Sequence, residues 1–512
     1  MSVSWIEQHA LRQPHNEALI DLETGHVLTY GELWARVRSI AYALQSSHDV
    51  VQGDRVAVLS RNDTRFFETM YACALLGAIV VPLNWRLTPS ELGQIARDAD
   101  PAVLIAESWA CDAAAEIAAD ARASLALLGW SSERAGGDDF ERLASADVPQ
   151  DWTAPQVDED EVWTIIYTSG TTGTPKGVQA SHRNVLASIV GIVIAHGVGP
   201  DSRCLTVLPT FHVAGLNVFA NPVLLMGGTV LVARTFDPAQ ALRLLRDELP
   251  AVTHFGGVPA NYQFIEQLPN FTERPLRPFV GAIGGSPVPE SLLASWRAHG
   301  AALSTVFGIT EAGACVASVP SSVEDAGAGV VGIPVLHARC RIRGERGETL
   351  EAGQVGQLEV AGDVVTAGYW RNAEATAEAC TADGWLRTGD AGSIDADGRV
   401  RLVDRWKDMY ISGGENVYPA EVENVLAAHP GVAQVAVVGV PDATWGEVGI
   451  AYVMAAAGAA CSTGELIGWC NERLARYKVP HTVVLVADLP RNATGKTLKG
   501  ELRARAAQYV TP

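Results

Sequence analysis

The sequence predicts an α/β protein in which a large, multi-lobed N-terminal domain with mostly parallel, helix-covered sheets precedes a small α+β domain. Three observations lead to this prediction. The chain has 512 residues, about three times the size of an ordinary domain, so it has room for several lobes. Short apolar segments alternate with helical stretches from residue 160 to residue 310, and the charge balance changes near residue 404.

The alternation between residues 160 and 310 is the pattern of a parallel sheet. The apolar segments are short enough for buried strands, and the stretches between them are long enough for helices. Such βα alternation produces a sheet with helices on its faces. The predicted strands cover residues 162–167, 204–208, 229–232, 252–255 and 279–283.

A change in charge marks the predicted boundary between two domains, 1–404 and 405–512. The chain has 38 basic and 58 acidic residues, a net charge of −20. Residues 405–512 hold ten of each sign, which leaves 28 basic and 48 acidic residues upstream. A separate pattern of helix, two strands and helix follows the boundary, and its size of about 100 residues is typical of a small domain. These elements are predicted at 420–428, 433–440, 450–455 and 463–476.

The composition excludes several classes of protein. A net charge of −20 argues against nucleic acid or an anionic membrane as the main partner. The longest nearly apolar stretch, residues 71–83, is too short to span a bilayer, and the N-terminus has no apolar signal segment. We therefore expect no integral membrane segment and a cytoplasmic location. The eight cysteines form no CxxC pair, which argues against a disulfide framework or a zinc site.

Residues 167–177, with the sequence YTSGTTGTPKG, carry the strongest chemical signal. We predict that they follow a strand and precede a helix that starts near His182. Glycines let the backbone approach an anion, while hydroxyls, free N–H groups and a lysine hold phosphate oxygens. Only five of the 38 Lys and Arg residues are lysines, and Lys176 is the sole lysine among residues 1–404. A phosphate-binding loop is the favoured interpretation, with a flexible Ser/Gly loop as the alternative.

A second segment, residues 490–497 (PRNATGKT), leads to a competing interpretation. It comes close to the phosphate-binding motif GxxxxGK[ST] of kinases and GTPases, but proline occupies the first glycine position. Residues 167–177 do not fit that motif. A P-loop-type phosphotransferase is therefore the alternative from a different functional class.

Together with the chain between them, these two segments resemble the adenylate-forming (ANL) superfamily of acyl-CoA synthetases, firefly luciferase and peptide-synthetase adenylation domains. The resemblance covers nearly the whole chain and is closest to fatty-acyl and aryl-CoA ligases. Several motifs in the family's order are more specific than any one of them. They are residues 28–33 (LTYGEL), 76–84 (LGAIVVPLN), 209–213 (PTFHV), 284–286 (GGS), 307–311 (FGITE), 385–390 (WLRTGD), 404–408 (DRWKD), 412–416 (SGGEN) and 490–496 (PRNATGK).

The resemblance implies an acyl-CoA synthetase with a mobile C-terminal domain. The acid reacts with ATP to give an acyl-AMP and pyrophosphate, and the acyl group then passes to coenzyme A. The implied cofactors and co-substrates are ATP, Mg²⁺ and coenzyme A, and the partner is a small carboxylic acid. An adenylating enzyme that loads a carrier protein stays open as an alternative function. A homodimer stays open as the oligomeric state.

The resemblance also implies which residues bind ATP or AMP. Glu311 is implied to be catalytic and to bind Mg²⁺, and Asp390 and Arg405 to hold the ribose hydroxyls. Phe307 stands where the family usually has tyrosine, so the ring that stacks on adenine is kept and the hydroxyl is lost. The nucleotide site comprises Thr168, Ser169, Gly170, Thr171, Thr172, Gly173, Lys176, Gly284, Gly285, Ser286, Phe307, Gly308, Thr310, Asp390 and Arg405.

Further roles concern catalysis, domain motion and the thiol. Lys496 matches the family's adenylation lysine, whose ammonium relieves the repulsion between carboxylate and α-phosphate, an effect of about 3 to 4 kcal/mol. Lys407 corresponds to the hinge, and His212 sits where the family has a gate beside the acyl carboxylate. The implied coenzyme A site comprises Ser412, Gly413, Gly414, Trp445, Arg473, Arg476 and Lys478.

The implied acyl pocket favours an apolar acid. No Lys or Arg occurs at residues 204–233, 253–273 or 278–296, so a second carboxylate buried there would lack a partner at high cost. We therefore predict a hydrophobic monocarboxylic acid and leave fatty, aromatic and polycyclic acids open. The implied lining residues are Val213, Leu216, Phe219, Gly257, Val258 and Phe307.

Overall fold

The computed structural model describes most of the chain. The described residues are 4–120, 126–130, 139–168, 175–247, 251–301, 303–319, 329–406, 408–412, 415–442, 444–456, 461–491 and 497–506. The chain packs as two compact units, which we call unit 1 (Met1–Cys340 and Val360–Leu386) and unit 2 (Arg341–Glu359 and Arg387–Pro512). These units of packing differ from the predicted segments 1–404 and 405–512. The predicted domain boundary near residue 404 stays a prediction.

The strands and helices alternate along the first half of the chain and again near its end. The strands are β1 Glu17–Asp21, β2 Val27–Thr29, β3 Arg55–Leu59, β4 Ile79–Pro82, β5 Val103–Glu107, β6 Ala126–Trp130, β7 Val162–Thr168, β8 Lys176–Ser181, β9 Arg203–Thr206, β10 Thr229–Val232, β11 His254–Gly257, β12 Val280–Gly284, β13 Leu303–Phe307, β14 Ala317–Ser318, β15 Val330–Pro334, β16 Arg339–Arg343, β17 Gly356–Ala361, β18 Gly368–Tyr369, β19 Leu386–Ile394, β20 Val400–Arg405, β21 Tyr410–Ser412, β22 Glu415–Val417, β23 Val432–Asp442, β24 Gly446–Ala455 and β25 Thr482–Leu485. The helices are α1 Ser4–Arg12, α2 Tyr30–His48, α3 Thr64–Leu76, α4 Pro89–Ala99, α5 Cys111–Asp120, α6 Asp139–Ala144, α7 His182–His196, α8 Val213–Asn217, α9 Ala220–Met226, α10 Pro238–Arg246, α11 Pro259–Glu266, α12 Glu290–Ala298, α13 Ala373–Ala379, α14 Pro419–Ala427, α15 Thr463–Asn471 and α16 Lys499–Ala506. Single 3-10 turns lie at Ser108–Ala110, Thr310–Ala312 and Arg476–Lys478.

Two mostly parallel sheets form the framework of unit 1. The first has the order β15-β14-β13-β12-β11-β9-β10-β1-β2, and its run from β13 to β1 is parallel throughout. The second has the order β18-β8-β7-β4-β3-β5-β6, with parallel pairs from β7 to β6. The predicted fold class is confirmed.

Alternation of side chains along the strands divides the core of unit 1. On β3, Val56 and Val58 point into one hydrophobic cluster, while Ala57 and Leu59 point into another. The first cluster also receives residues of β9 and β10, so it lies between the two sheets. Strands buried on both faces read as continuous apolar runs, which is why the segments of β9 and β10 were predicted at 204–208 and 229–232.

The phosphate-loop segment follows strand β7 and precedes a helix, as predicted. Strand β8 (Lys176–Ser181), which was not predicted, lies before that helix and pairs antiparallel with β7. The predicted helix start at His182 is confirmed for α7. Ser181 caps this helix, because its Oγ accepts the Asn184 N–H at 3.2 Å, and such a capping box favours a helix start at that point.

Unit 2 contains a compact α+β segment at its C-terminal end. Its sheet has the order β22-β21-β24-β23, with β25 beside β24. Helices α14 and α15 contribute Val422, Leu426 and Leu466 to one cluster, and α16 contributes Leu502 to the other. The predicted helix, two strands and helix are present, although α15 ends at Asn471. Strands β16, β17, β19 and β20 form a further ladder in that order, largely within unit 2.

Within the described residues, no helix combines the length and the apolar character that a membrane span needs.

Candidate active site

The described ends of the predicted phosphate loop are held by the β7–β8 hairpin. Thr168 and Lys176 are register partners in this hairpin, and the Thr168 hydroxyl donates to the Lys176 carbonyl at 3.4 Å. A side chain at Gly177 would meet Ile165 Cγ2 at 2.7 Å, so the strand packs closely there. Ser169, Gly170, Thr171, Thr172 and Gly173 lie outside the described residues.

Lys176 and Glu311 are brought together by a tyrosine that sequence reasoning missed. The Tyr369 hydroxyl donates to Glu311 Oε1 at 2.7 Å. The Lys176 ammonium lies over the Tyr369 ring, 5.2 Å from its centroid, a distance that suits a cation–π contact. Burial, together with the Glu311 carboxylate, raises the pKa of Tyr369 well above its usual range, so its hydroxyl stays a donor.

The remaining predicted nucleotide-site residues of unit 1 lie at the carboxyl ends of two neighbouring strands. β12 and β13 run parallel, and Gly284 is paired with Val306. Gly284, Gly285 and Ser286 therefore come next to the segment from Phe307 to Glu311, which begins where β13 ends. The crevice at the carboxyl ends of parallel strands is where α/β proteins commonly bind ligands.

Glycines at these strand ends allow close backbone packing. A Cβ at Gly308 would stand 1.8 Å from the Ala314 carbonyl oxygen, and one at Gly284 would stand 2.2 Å from the Val306 carbonyl oxygen. Gly285 has φ of +80°, a left-handed conformation that favours glycine. Phe307 and Thr310 are buried beside them.

Glu311 fits a magnesium ion carried by a nucleotide. Mg²⁺ is usually bound by one or two carboxylates together with substrate phosphates and water, and not by a cage of protein ligands. Among the described residues, no cluster of three or more His, Cys, Asp or Glu side chains forms such a cage. Glu311 is half-buried in the 3-10 turn Thr310–Ala312, and one oxygen already accepts the Tyr369 hydroxyl.

His212 caps the helix that carries the first predicted acyl-pocket residues. Its Nδ1 accepts the Ala214 N–H at 3.2 Å. Burial lowers the pKa of His212, which favours the neutral ring with its proton on Nε2, free to donate. Val213, Leu216 and Phe219 follow, and all three are buried in the cluster between the sheets.

The two glycines of β11 point to opposite faces. A Cβ on Gly256 would meet Phe219 Cδ2 at 3.3 Å, whereas a Cβ on Gly257 would meet Tyr262 Cε2 at 3.0 Å on the other face. Gly256, which was not predicted, therefore faces Phe219, and the predicted Gly257 does not. Val258 Cγ1 lies 3.4 Å from the Cβ position of Gly285. Val258 therefore packs against the glycine segment that follows β12.

A cation lies beside Phe211 of the motif at residues 209–213, and it comes from outside the three segments that contain no Lys or Arg. The Arg86 guanidinium lies 5.6 Å from the Phe211 ring centroid and 4.8 Å from that of Trp85. Burial lowers the pKa of Arg86. The sequence argument missed Arg86 because it lies far along the chain from the three segments that were expected to line the pocket.

The predicted ribose site falls in unit 2. Asp390 and Arg405 are register partners on β19 and β20. Asp390 is buried, and its backbone N–H donates to the Thr388 hydroxyl at 3.1 Å. The structure describes the backbone of Arg405, whereas Lys407 and Lys496 lie outside the described residues.

The predicted coenzyme A residues of unit 2 occupy different surroundings. Ser412 is buried at the end of β21, and Trp445 is exposed. Arg473 stacks on Trp469, 3.4 Å from the ring centroid, and pairs with Glu472 at 2.8 Å. Lys478 Nζ pairs with Glu421 at 2.8 Å. Arg476 is exposed, and Gly413 and Gly414 lie outside the described residues.

Comparisons with known proteins agree with this geometry. The profile of the AMP-binding enzyme family matches residues 6–370, and that of the AMP-binding enzyme C-terminal domain matches residues 421–496. A feruloyl-CoA synthase of an Amycolatopsis species is 39% identical over 503 residues, which cover 98% of each chain. A long-chain-fatty-acid–CoA ligase of Mycobacterium tuberculosis is 36% identical over 514 residues, which cover 99% of each chain.

A solved structure also resembles the whole chain. The ATP-bound MatB from Rhodopseudomonas palustris superimposes with a TM-score of 0.91 at 31% identity and covers 100% of both chains. The predicted resemblance is confirmed. The chain belongs to the AMP-binding enzymes of the adenylate-forming superfamily and is, within it, an AMP-forming acid–thiol ligase.

Proposed function

We propose that this ligase activates a hydrophobic monocarboxylic acid, with aryl-substituted acids as the first candidates, and passes the acyl group to coenzyme A. The observation that carries the proposal is the position of His212 at the start of α8, followed at once by a buried apolar wall. His212 Nε2 offers a donor to a carboxylate, and Val213, Leu216 and Phe219 offer an apolar surface to the rest of the acid. The names of the relatives support an aromatic or fatty acid.

The first step joins the acid to AMP. A carboxylate oxygen attacks the α-phosphorus of ATP, the bond from that phosphorus to the bridging oxygen breaks, and pyrophosphate leaves. Residues 168–176 are proposed to hold the phosphates, with Lys176 supplying positive charge, and Glu311 would hold Mg²⁺, which neutralises phosphate charge when bound. Lys496 is proposed to stabilise the approach of the two anions.

The nucleoside is proposed to contact two sets of residues. Phe307 offers a ring to adenine, with Gly284, Gly285, Ser286, Gly308 and Thr310 beside the α-phosphate. The Asp390 carboxylate suits the vicinal hydroxyls of ribose, because charge-assisted hydrogen bonds are the stronger ones. Arg405 is proposed as its partner in this contact.

The second step transfers the acyl group. The thiol sulfur of coenzyme A attacks the acyl carbon, the bond from that carbon to the AMP oxygen breaks, and AMP leaves. Rotation of residues 405–512 about Lys407 is proposed to replace Lys496 by the segment Ser412, Gly413 and Gly414. Trp445, Arg473 and Lys478 are the proposed contacts of coenzyme A, although both cations hold partners in unit 2.

A panel of acids tests the proposed function. Aryl-propenoic, aryl-acetic, short and long fatty acids, and a dicarboxylic acid are incubated with ATP and Mg²⁺, and AMP, ADP and pyrophosphate are measured. Each reaction is run without a thiol, with coenzyme A and with a phosphopantetheinylated carrier protein. We expect AMP and pyrophosphate with apolar acids, and turnover with coenzyme A.

Each alternative has its own result in this panel. Preference for the dicarboxylic acid would contradict the apolar pocket and point to Arg86. Turnover with the carrier protein but not with coenzyme A would identify the carrier protein as the acceptor. Release of ADP would indicate a phosphotransferase. Homodimer formation and a cytoplasmic location stay predictions, which sedimentation of the purified chain and cell fractionation would check.

A further inference from the structure

Tyr369 contacts two groups of opposite charge at the proposed ATP site. Its hydroxyl donates to Glu311 Oε1 at 2.7 Å, and its ring lies under the Lys176 ammonium at 5.2 Å. Within the described residues, Lys176 and Glu311 form no direct ion pair. Tyr369 therefore contacts two opposite charges that do not pair with each other.

The position of Tyr369 is fixed by the surrounding backbone. β18 pairs antiparallel with β8, where Tyr369 is the register partner of Val178. The Tyr369 N–H donates to Thr376 Oγ1 at 2.9 Å. Gly368 has φ of +118°, and a Cβ there would stand 2.3 Å from Thr376 Cγ2. Tyr369 is thus presented from a strand end that has little freedom to move.

Separation of the two charges has a chemical use. A lysine that binds phosphate and a carboxylate that binds Mg²⁺ attract each other, and a direct pair would occupy both groups before the nucleotide arrives. A hydroxyl donor satisfies one carboxylate oxygen and leaves the other oxygen available for a cation. Partners that orient a metal-binding carboxylate in this way strongly affect metal affinity.

We propose that Tyr369 is a positioning residue that orients Glu311 through its hydroxyl and holds Lys176 through its ring, so that both stay ready for ATP and its metal ion. This inference rests on the proposed function of Glu311 and Lys176. It assigns a different role to each part of the side chain. The hydroxyl orients Glu311 for the metal ion, and the ring holds Lys176 for the phosphates.

Two substitutions separate the two contacts. Tyr369→Phe keeps the ring and removes the donor, whereas Tyr369→Leu removes both. Tyr30→Phe is the matched control, because it removes a hydroxyl that donates to the Gly228 carbonyl at the same distance, 2.7 Å, in the core of unit 1. The readouts are equilibrium binding of ATP without metal, by a fluorescent ATP analogue, and of Mn²⁺ in the presence of ATP, by electron paramagnetic resonance.

We expect Tyr369→Phe to weaken Mn²⁺ binding about tenfold and to leave metal-free ATP binding unchanged. Tyr369→Leu should weaken both, and Tyr30→Phe should change neither. Unchanged Mn²⁺ affinity in Tyr369→Phe would overturn the role of the hydroxyl, and unchanged ATP affinity in Tyr369→Leu would overturn that of the ring. Equal effects of Tyr369→Phe and Tyr30→Phe would also overturn the proposal.

The binding readouts need neither acid nor thiol, so this inference and the proposed function can fail separately. A chain that shows the expected shifts but activates no apolar acid would contradict the proposed function and support the role of Tyr369. If the protein activates apolar acids but Tyr369→Phe binds Mn²⁺ normally, the proposed function is supported and the role of Tyr369 is contradicted.

Discussion

The two adjacent glycines of β11 provide a sharp test of where the acyl group lies. A methyl group at Gly256 would stand 3.2 Å from Val218 Cγ1 and 3.3 Å from Phe219 Cδ2. These are side-chain atoms that can yield by a few tenths of an ångström, so Gly256→Ala should fold. The added methyl then takes space from an acid that packs on Phe219.

The expected effect is a change in acid preference. One methylene in an apolar pocket is worth about 1 to 3 kcal/mol, or about 10- to 200-fold in kcat/KM. Gly256→Ala should therefore lower kcat/KM by about this factor for bulky aryl acids and leave short acids nearly unchanged. The assay is pyrophosphate release over a size series of acids.

Gly257→Ala is the matched control on the opposite face. Its methyl would stand 3.0 Å from Tyr262, whose hydroxyl donates to the Phe255 and Ala282 carbonyls at 2.9 and 3.0 Å. This ring cannot yield easily, so we expect a stability loss of about 1 to 3 kcal/mol from overpacking and an unchanged order of acids. An unchanged acid preference in Gly256→Ala, or the same change in both variants, would refute the reasoning.

Four further predictions concern other parts of the chain. Asp390→Ala should raise the KM for ATP strongly, because a charge-assisted contact is worth about 1.5 to 3 kcal/mol; an unchanged ATP dependence of pyrophosphate release would remove Asp390 from the site. Lys407→Pro should keep acyl-AMP formation and lose transfer to coenzyme A, because proline fixes φ at the proposed hinge; equal loss of both half-reactions would count against the hinge. Lys496→Ala should slow acyl-AMP formation by about two to three orders of magnitude, while synthetic acyl-AMP and coenzyme A still give thioester; single-turnover kinetics that show both steps collapsing would contradict domain alternation. Burial lowers the pKa of His196 from 6.5 to about 4. The stability that depends on the neutral ring is therefore present above pH 6.5 and is lost as the pH falls toward 4, by about 2 kcal/mol between pH 6.5 and 5. The thermal unfolding of His196→Gln should depend less on pH in this range than that of the unmodified protein, and the same pH dependence in both would exclude His196 as the cause.

The parallel strands were predictable because burial on both faces leaves a plain apolar signal. The strand predicted at 229–232 is β10, and the helix predicted to start near His182 is α7. Strand β8 was not predictable in the same way. Its sequence, KGVQAS, contains glycine and polar residues, and it forms a strand because β7 pairs with it.

The contacts of the candidate site were also predictable only in part. Motif order identified Glu311 and Lys176 as candidates, because a carboxylate suits Mg²⁺ and a lysine suits phosphate. Tyr369 was missed because it meets Glu311 across 58 residues of chain, and no local pattern records such a contact. The period of two along a strand predicts that Gly256 and Gly257 face opposite sides, but only the structure shows that Gly256 is the glycine that faces Phe219.

The central claim is that the acid is activated as an acyl-AMP and then passed to coenzyme A. Isotope transfer tests it most directly: an accepted acid labelled with ¹⁸O in both carboxylate oxygens is incubated with ATP, Mg²⁺ and coenzyme A, and the products are analysed by mass spectrometry. We predict one ¹⁸O in AMP for each thioester formed and none in pyrophosphate, because the carboxylate oxygen that attacks the α-phosphorus stays with AMP when sulfur displaces it. Label in inorganic phosphate together with ADP, or AMP without label, would contradict the account.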